Sequence, residues 1–95
     1  MEKIRLGIIG IGNMGSEHCR LILSGQTPEI ALTCVADPRQ DRRDWAQQTL
    51  PAGTGIYADG MSLIRAHACD AVLIATPHEL HPPLAEAALR AGLHV

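Results

Sequence analysis

The sequence has no apolar run approaching the ~18 residues of a membrane span, so no transmembrane helix is expected. It has no internal repeat and no low-complexity tract, which leaves the composition of an ordinary globular domain, 46% hydrophobic and 19% charged. Charge of neither sign dominates. The formal net charge is −2, and no global field favours nucleic acid or an anionic membrane as partner. C-x-x-C spacing is also missing: Cys19, Cys34 and Cys69 are odd in number and stand apart. Each sits in or beside an apolar segment, so buried reduced thiols in a reducing, cytoplasmic setting are expected. The start Met1-Glu2-Lys3-Ile4 enters a strand at once and leaves no room for a signal peptide. At 95 residues the chain is one domain at most, short for a complete two-halved dinucleotide-binding sheet.

What is present centres on Ile8-Ile9-Gly10-Ile11-Gly12-Asn13-Met14-Gly15. Gly10, Gly12 and Gly15 follow an apolar run in the G-x-G-x-x-G order that turns a strand into a helix and holds a dinucleotide pyrophosphate. Gly10 permits the tight turn, and Gly12, lacking a Cβ, lets phosphates approach the backbone. Gly15 lets the helix sit against the strand, a contact that Cys19 and Ile22 continue on the same face. Unpaired N–H groups at the helix start, around Asn13 and Met14, then face the phosphate charge.

Lys3 to Ile9 reads as the first strand, Met14 to about Ser24 as the first helix, and Ile30 to Ala36 as the second strand. That strand ends at Asp37, about 20 residues beyond Gly15, where a carboxylate is expected to accept the adenosine ribose hydroxyls. A turn or helix-cap role before Pro38 is the alternative. Arg39 to Leu50 is a polar helix burying Trp45, Ala46 and Leu50. Its Arg39, Arg42 and Arg43 read as a solvated face rather than a phosphate clamp, with Arg39 close enough to Asp37 to lie over the adenine. Ile56 to Ala58 is a short third strand. Asp59 then caps a helix carrying Met61, Ile64 and Ala68. Asp70 to Ala75 is the fourth strand, and Thr76 to Pro83 is a loop at its carboxyl end. A last helix, about Pro82 to Ala91, carries the stripe Leu84, Ala87, Ala88 and Ala91. Leu93-His94-Val95 looks like the onset of a fifth strand.

Strands alternating with helices imply a doubly wound parallel α/β sheet, order 3-2-1-4-5. Its switch point lies between strands one and four, so the Gly10–Gly15 turn and the Thr76–His81 loop face one crevice. The matching stretches Gly-Ile-Ile-Gly-Ile-Gly-Asn-Met-Gly, Val-Ala-Asp-Pro, Ala-Val-Leu-Ile-Ala-Thr-Pro-His-Glu-Leu-His and Ala-Leu-Arg-Ala-Gly-Leu-His-Val span the whole chain in order. On these the sequence resembles the Gfo/Idh/MocA family, the glucose–fructose oxidoreductase and inositol dehydrogenase relatives.

The resemblance implies that residues 1–95 are a Rossmann domain binding NAD, with NADP as the second option. Gly10, Gly12, Asn13, Met14, Gly15, Asp37, Arg39, Thr76, Pro77, His78 and His81 are the candidate cofactor-binding residues. In the family Thr76-Pro77 and the loop after them lie along the cofactor. His81 matches a recurrent histidine, and His78 stands where asparagine is common. Members continue into a Glu-Lys-Pro segment with a catalytic lysine and then a substrate domain. The implied reaction is hydride transfer on a sugar, polyol or related small molecule, with no catalytic residue inside residues 1–95 and substrate bound only by a longer form. His78 and His81 have a spacing that also suits a metal pair, but no third ligand is evident, and no metal is assigned. The alternative functional reading is a non-catalytic nucleotide-binding or sensor module. A methyltransferase would not account for the Thr76–His81 loop. An open edge at strand four suggests self-association.

Overall fold

The computed structural model describes residues 3–76 and 81–95, with the side chain of His81 left aside. Four parallel strands, β1 (Ile4–Ile9), β2 (Ile30–Ala36), β3 (Gly55–Tyr57) and β4 (Ala71–Ile74), form one sheet in the order β3-β2-β1-β4. Helices α1 (Asn13–Leu23) and α2 (Gln40–Thr49) cover one face, and α3 (Gly60–Ala66) and α4 (His81–Arg90) the other. The expected strand order is present, but the sheet has four strands instead of five. The segment after α4 contributes one parallel bridge, Ala71 to His94, on the outer side of β4. Val72 N–H donates to the His94 carbonyl at 2.8 Å, and His94 N–H donates to the Asp70 carbonyl at 3.1 Å. A bridge so short cannot count as a strand.

Alternation along β1 divides the core. Ile8 faces α1 and α2 with Ile11, Cys19, Val35, Ala46 and Leu50, while Ile9 faces α3 and α4 with Cys34, Leu63, Ile64, Val72 and Ala88. The β1–β2 register shifts between Leu6 and Gly7, so that Leu6 pairs Leu32 but Gly7 pairs Cys34. Thr33 is the extra residue. The bulge lets Leu32 and Val35, three apart, pack on the same side. Thr33 Oγ1 donates to the Ala68 carbonyl at 2.9 Å, which ties the bulge to the turn before β4.

Gly7 has a packing role that its sequence position did not reveal. A Cβ there would stand 2.8 Å from Cys34 Sγ and 3.1 Å from both Cys69 Sγ and Leu63 Cδ2. All three cysteines are buried and unpaired. Burial pushes the Cys19 thiol up to about 11 and the Cys34 thiol up to about 12, and it raises Cys69 as well.

Most predicted boundaries hold within one residue, and β2 agrees fully. The buried face of α3 does not. Leu63 is fully buried and Ile64 nearly so, whereas Met61 is 39% exposed and Ala68 lies beyond the helix. Asp59 caps α3 as predicted, its Oδ1 accepting Ser62 N–H at 2.8 Å. That bond holds the Asp59 carboxyl below the usual carboxylate range.

Candidate functional site

Adjacent strands that send their chains to opposite faces leave a crevice at their carboxyl ends, here between β1 and β4. The end of β1 is stitched to both neighbours. Gly10 N–H donates to the Ala36 carbonyl at 2.7 Å, and Ala75 N–H donates to the Ile9 carbonyl at 2.8 Å. Gly10 adopts φ +93°, a left-handed backbone that favours glycine. A Cβ on it would also strike Thr76 Cγ2 at 2.9 Å, so Thr76, the residue after β4, lies against the glycine turn.

Gly15 begins the close part of the α1 contact. A Cβ there would fall 1.8 Å from the Gly10 carbonyl oxygen, so only a bare Cα lets the helix return over its own turn. Gly12 differs, because its φ of −72° and ψ of −151° suit any residue. The first atoms an ideal Cβ on it would meet are those of the Arg42 guanidinium, at 3.0–3.2 Å. No side chain caps α1 and no acid occupies its first turn. The N–H groups of Asn13, Met14 and Gly15 precede the first intrahelical bond, Ser16 N–H to the Gly12 carbonyl at 2.9 Å. Asn13 and Met14 are exposed beside them, Met14 at 71%.

Asp37 is only 2% exposed. Its Oδ2 accepts Ile11 N–H at 2.9 Å, its Oδ1 accepts Arg39 N–H at 2.9 Å, and Arg42 Nη1 approaches Oδ2 at 3.4 Å. The carboxylate therefore clamps the glycine turn to the β2–α2 turn. Of the two roles weighed from sequence for Asp37, these bonds are those of the turn residue.

The arginines correct the picture of a solvated helix face. Arg39 alone fits it, pointing to Asp41 through contacts of 3.1 and 2.9 Å. Arg43 folds back to donate to the carbonyls of Asp37 and Pro38 at 2.9 and 3.0 Å, holding the turn. Arg42 lies across Gly12. Neither placement was legible from helical spacing, because both depend on the path of the turn before α2.

On the α3 and α4 side of the crevice lies a cleft of about 290 Å³ with a mainly aliphatic wall: Ile9, Ala36, Pro38, Met61, Thr76 and Leu84. A flat aromatic base suits such a wall. Arg39 is not part of it, and Pro38 and Met61 are lining residues that sequence reasoning missed. Gly60 admits the wall's packing, since a Cβ there would lie 2.8 Å from Ile9 Cγ2 and from Leu84 Cδ2. The Gly directly after the Asp59 cap was the one available signal. Pro77 and His78 lie outside the described residues. His81 opens α4, and its side chain is likewise outside them. No helix among the described residues is long and apolar enough to cross a membrane.

Residues 4–95 match the GFO_IDH_MocA family model, described as an oxidoreductase family with an NAD-binding Rossmann fold. Inositol 2-dehydrogenase 4 of Saccharopolyspora erythraea is 35% identical over 97 residues, covering 99% of this chain and 27% of that protein. A glycosyl hydrolase family 109 protein of the same organism is 35% identical over 102 residues, covering 99% of this chain and 22% of that protein. Among solved structures, scyllo-inositol dehydrogenase from Lactobacillus casei with bound NAD(H) and scyllo-inositol superposes with a TM-score of 0.89. Its identity is 29%, over 99% of this chain and 27% of that one. The chain thus spans about a quarter of the length of these relatives.

Proposed function

The chain belongs to the Gfo/Idh/MocA oxidoreductase family through its NAD-binding Rossmann domain, and from that premise we propose how its residues serve a dinucleotide. The pyrophosphate lies over Gly12 and the first N–H groups of α1. The ribose hydroxyls reach Asp37, and the adenine enters the cleft of Pro38, Met61 and Leu84. Thr76, with Pro77, His78 and His81, lies along the nicotinamide half. The observation that carries this reading is the uncapped start of α1 at the sheet's switch point, where Gly12 has no Cβ and the Arg42 guanidinium lies over it. Bound there, the dinucleotide supplies a hydride acceptor or donor.

The parent reaction is hydride transfer on a polyol, sugar or related small molecule. The inositol dehydrogenases among the relatives support that class. A reducing, cytoplasmic setting suits three buried thiols. The outer edge of β4, engaged by His94 at one bridge, offers backbone to a further strand or a second copy.

Titration calorimetry with NAD tests the site, using Gly12→Val as the variant. A branched side chain over the turn should weaken NAD by tenfold or more while moving the melting temperature little, since the atoms nearest its Cβ are the movable end of the Arg42 side chain. Full NAD affinity in Gly12→Val would show that the pyrophosphate sits elsewhere.

A further inference from the structure

Asp37 and Pro38 belong to one turn, and Arg43 holds the backbone of that turn from α2. Its Nη1 donates to the Asp37 carbonyl at 2.9 Å and to the Pro38 carbonyl at 3.0 Å. Its Nη2 donates to Gln40 Oε1 at 2.7 Å, and Gln40 Nε2 donates in turn to Asp44 Oδ1 at 2.8 Å. The guanidinium is thus braced within its own helix. The Pro38–Arg39 peptide unit is pinned at both ends, its carbonyl by Arg43 and its N–H by Asp37 Oδ1 at 2.9 Å. Asp37 N–H is anchored separately, on the Tyr57 carbonyl at 3.2 Å.

The pyrrolidine ring fixes φ of Pro38, so its ψ is the soft dihedral that orients this peptide unit. Rotation about it would turn the Pro38 carbonyl off the guanidinium and carry the Arg39 N–H away from Oδ1. One of the two backbone bonds that aim the Asp37 carboxylate would go with it. Pro38 itself forms part of the aliphatic cleft wall, so the turn supplies both the carboxylate and a piece of that wall. We propose that Arg43 is a positioning residue for the adenosine half of a dinucleotide, acting on it only through the Pro38–Arg39 peptide and Asp37. The inference rests on the reading of the crevice as a dinucleotide site. Arg43 is half-buried, so water can take over the two carbonyls when it is removed, and the fold survives. The peptide unit then samples other orientations, and binding must order it again, which weakens affinity.

The test is calorimetric titration of the 95-residue chain with NAD and with ADP-ribose, repeated on Arg43→Ala, Arg43→Lys and Gln40→Ala. Amide hydrogen exchange of each ligand-free protein is followed alongside by NMR. Arg43→Ala should weaken NAD and ADP-ribose alike by about tenfold, because the lost order lies in the half they share. The Arg39 amide should exchange faster while the Ile11 amide is unchanged, a local signature that a merely destabilised fold would not give. Arg43→Lys keeps a cation for the carbonyls but loses the fork to Gln40, and it should recover part of the affinity. Gln40→Ala removes the brace alone and should weaken binding less than Arg43→Ala. These two variants decide the matter if Arg43→Ala does not fold. Unchanged affinity, a loss for NAD without one for ADP-ribose, or a loss without faster Arg39 exchange would overturn the positioning role and leave the dinucleotide site standing. Failure of the unaltered chain to bind either ligand would overturn both.

Discussion

Gly15→Ala is the sharpest test of how the cofactor turn is built. The added methyl carbon would fall 1.8 Å from the Gly10 carbonyl oxygen and 2.8 Å from its carbon, where real Cβ contacts essentially never come below 3.0 Å. Both neighbours are backbone, so no rotamer change relieves the clash, and α1 must part from the turn by more than an ångström. Gly10 cannot yield easily, because its N–H is held by the Ala36 carbonyl at 2.7 Å and the following Ile11 N–H by Asp37 at 2.9 Å. The movement would loosen Cys19, which is fully buried against Ile8, Val35 and Ala46. Overpacking of this kind costs about 1–3 kcal/mol, and the rigid neighbours place it near about 3 kcal/mol. A domain of this length has roughly 5–14 kcal/mol in total, and each kcal/mol moves its melting temperature by about 4–8 °C. Thermal unfolding followed by circular dichroism should therefore show a drop of about 12–24 °C. Gly12→Ala is the control, since the atoms nearest its Cβ are the movable end of Arg42 and its backbone is extended with a negative φ. A Gly15→Ala melt within a few degrees of the parent would refute the close contact of α1 and turn.

Gly7→Ala should cost about 1–3 kcal/mol in a denaturant titration, because its methyl presses on Cys34, Cys69 and Leu63 at 2.8–3.1 Å. Adding Cys34→Ala should recover part of that loss, and strictly additive penalties would show that the two sites do not share the space. The buried thiols should resist a thiol-specific reagent at neutral pH and react only after unfolding. Because folding raises the thiol values of Cys19 and Cys34 from 9.0 to about 11 and about 12, their contribution is complete below about pH 9 and is lost as pH climbs toward those values. Stability that stays flat from pH 9 to 12 would contradict the burial. In a screen of polyols and sugars with NAD, the 95-residue chain should show no absorbance from NADH. Its single lysine, Lys3, stands at the start of β1, the end remote from the crevice. Sustained turnover would place a catalytic group where none is assigned.

Local rules made much of this domain legible from sequence. Apolar periodicity set the strands and helices, glycine spacing set the turn, and Asp59 announced the start of α3. The positions of Gly10, Gly15 and Asp37 around one crevice also followed, because βαβ connections have one hand and the strand order leaves one switch point. Other features depend on contacts between distant parts of the chain, and no local pattern encodes them. The bulge at Thr33 reverses the alternation of β2, and its anchor is Ala68, 35 residues away. Gly7 is glycine because two thiols from other segments crowd the same spot. Met61 leaves the core for the cleft because Leu63 and Ile64 are the α3 residues turned toward the sheet. Sequence placed Asp37 at the end of β2, but only the folded chain showed its carboxylate satisfied by Ile11 and Arg39, with Arg42 lying over Gly12. Backbone conformation is set by near neighbours, whereas a long side chain's partner is set by whatever the fold brings within its reach.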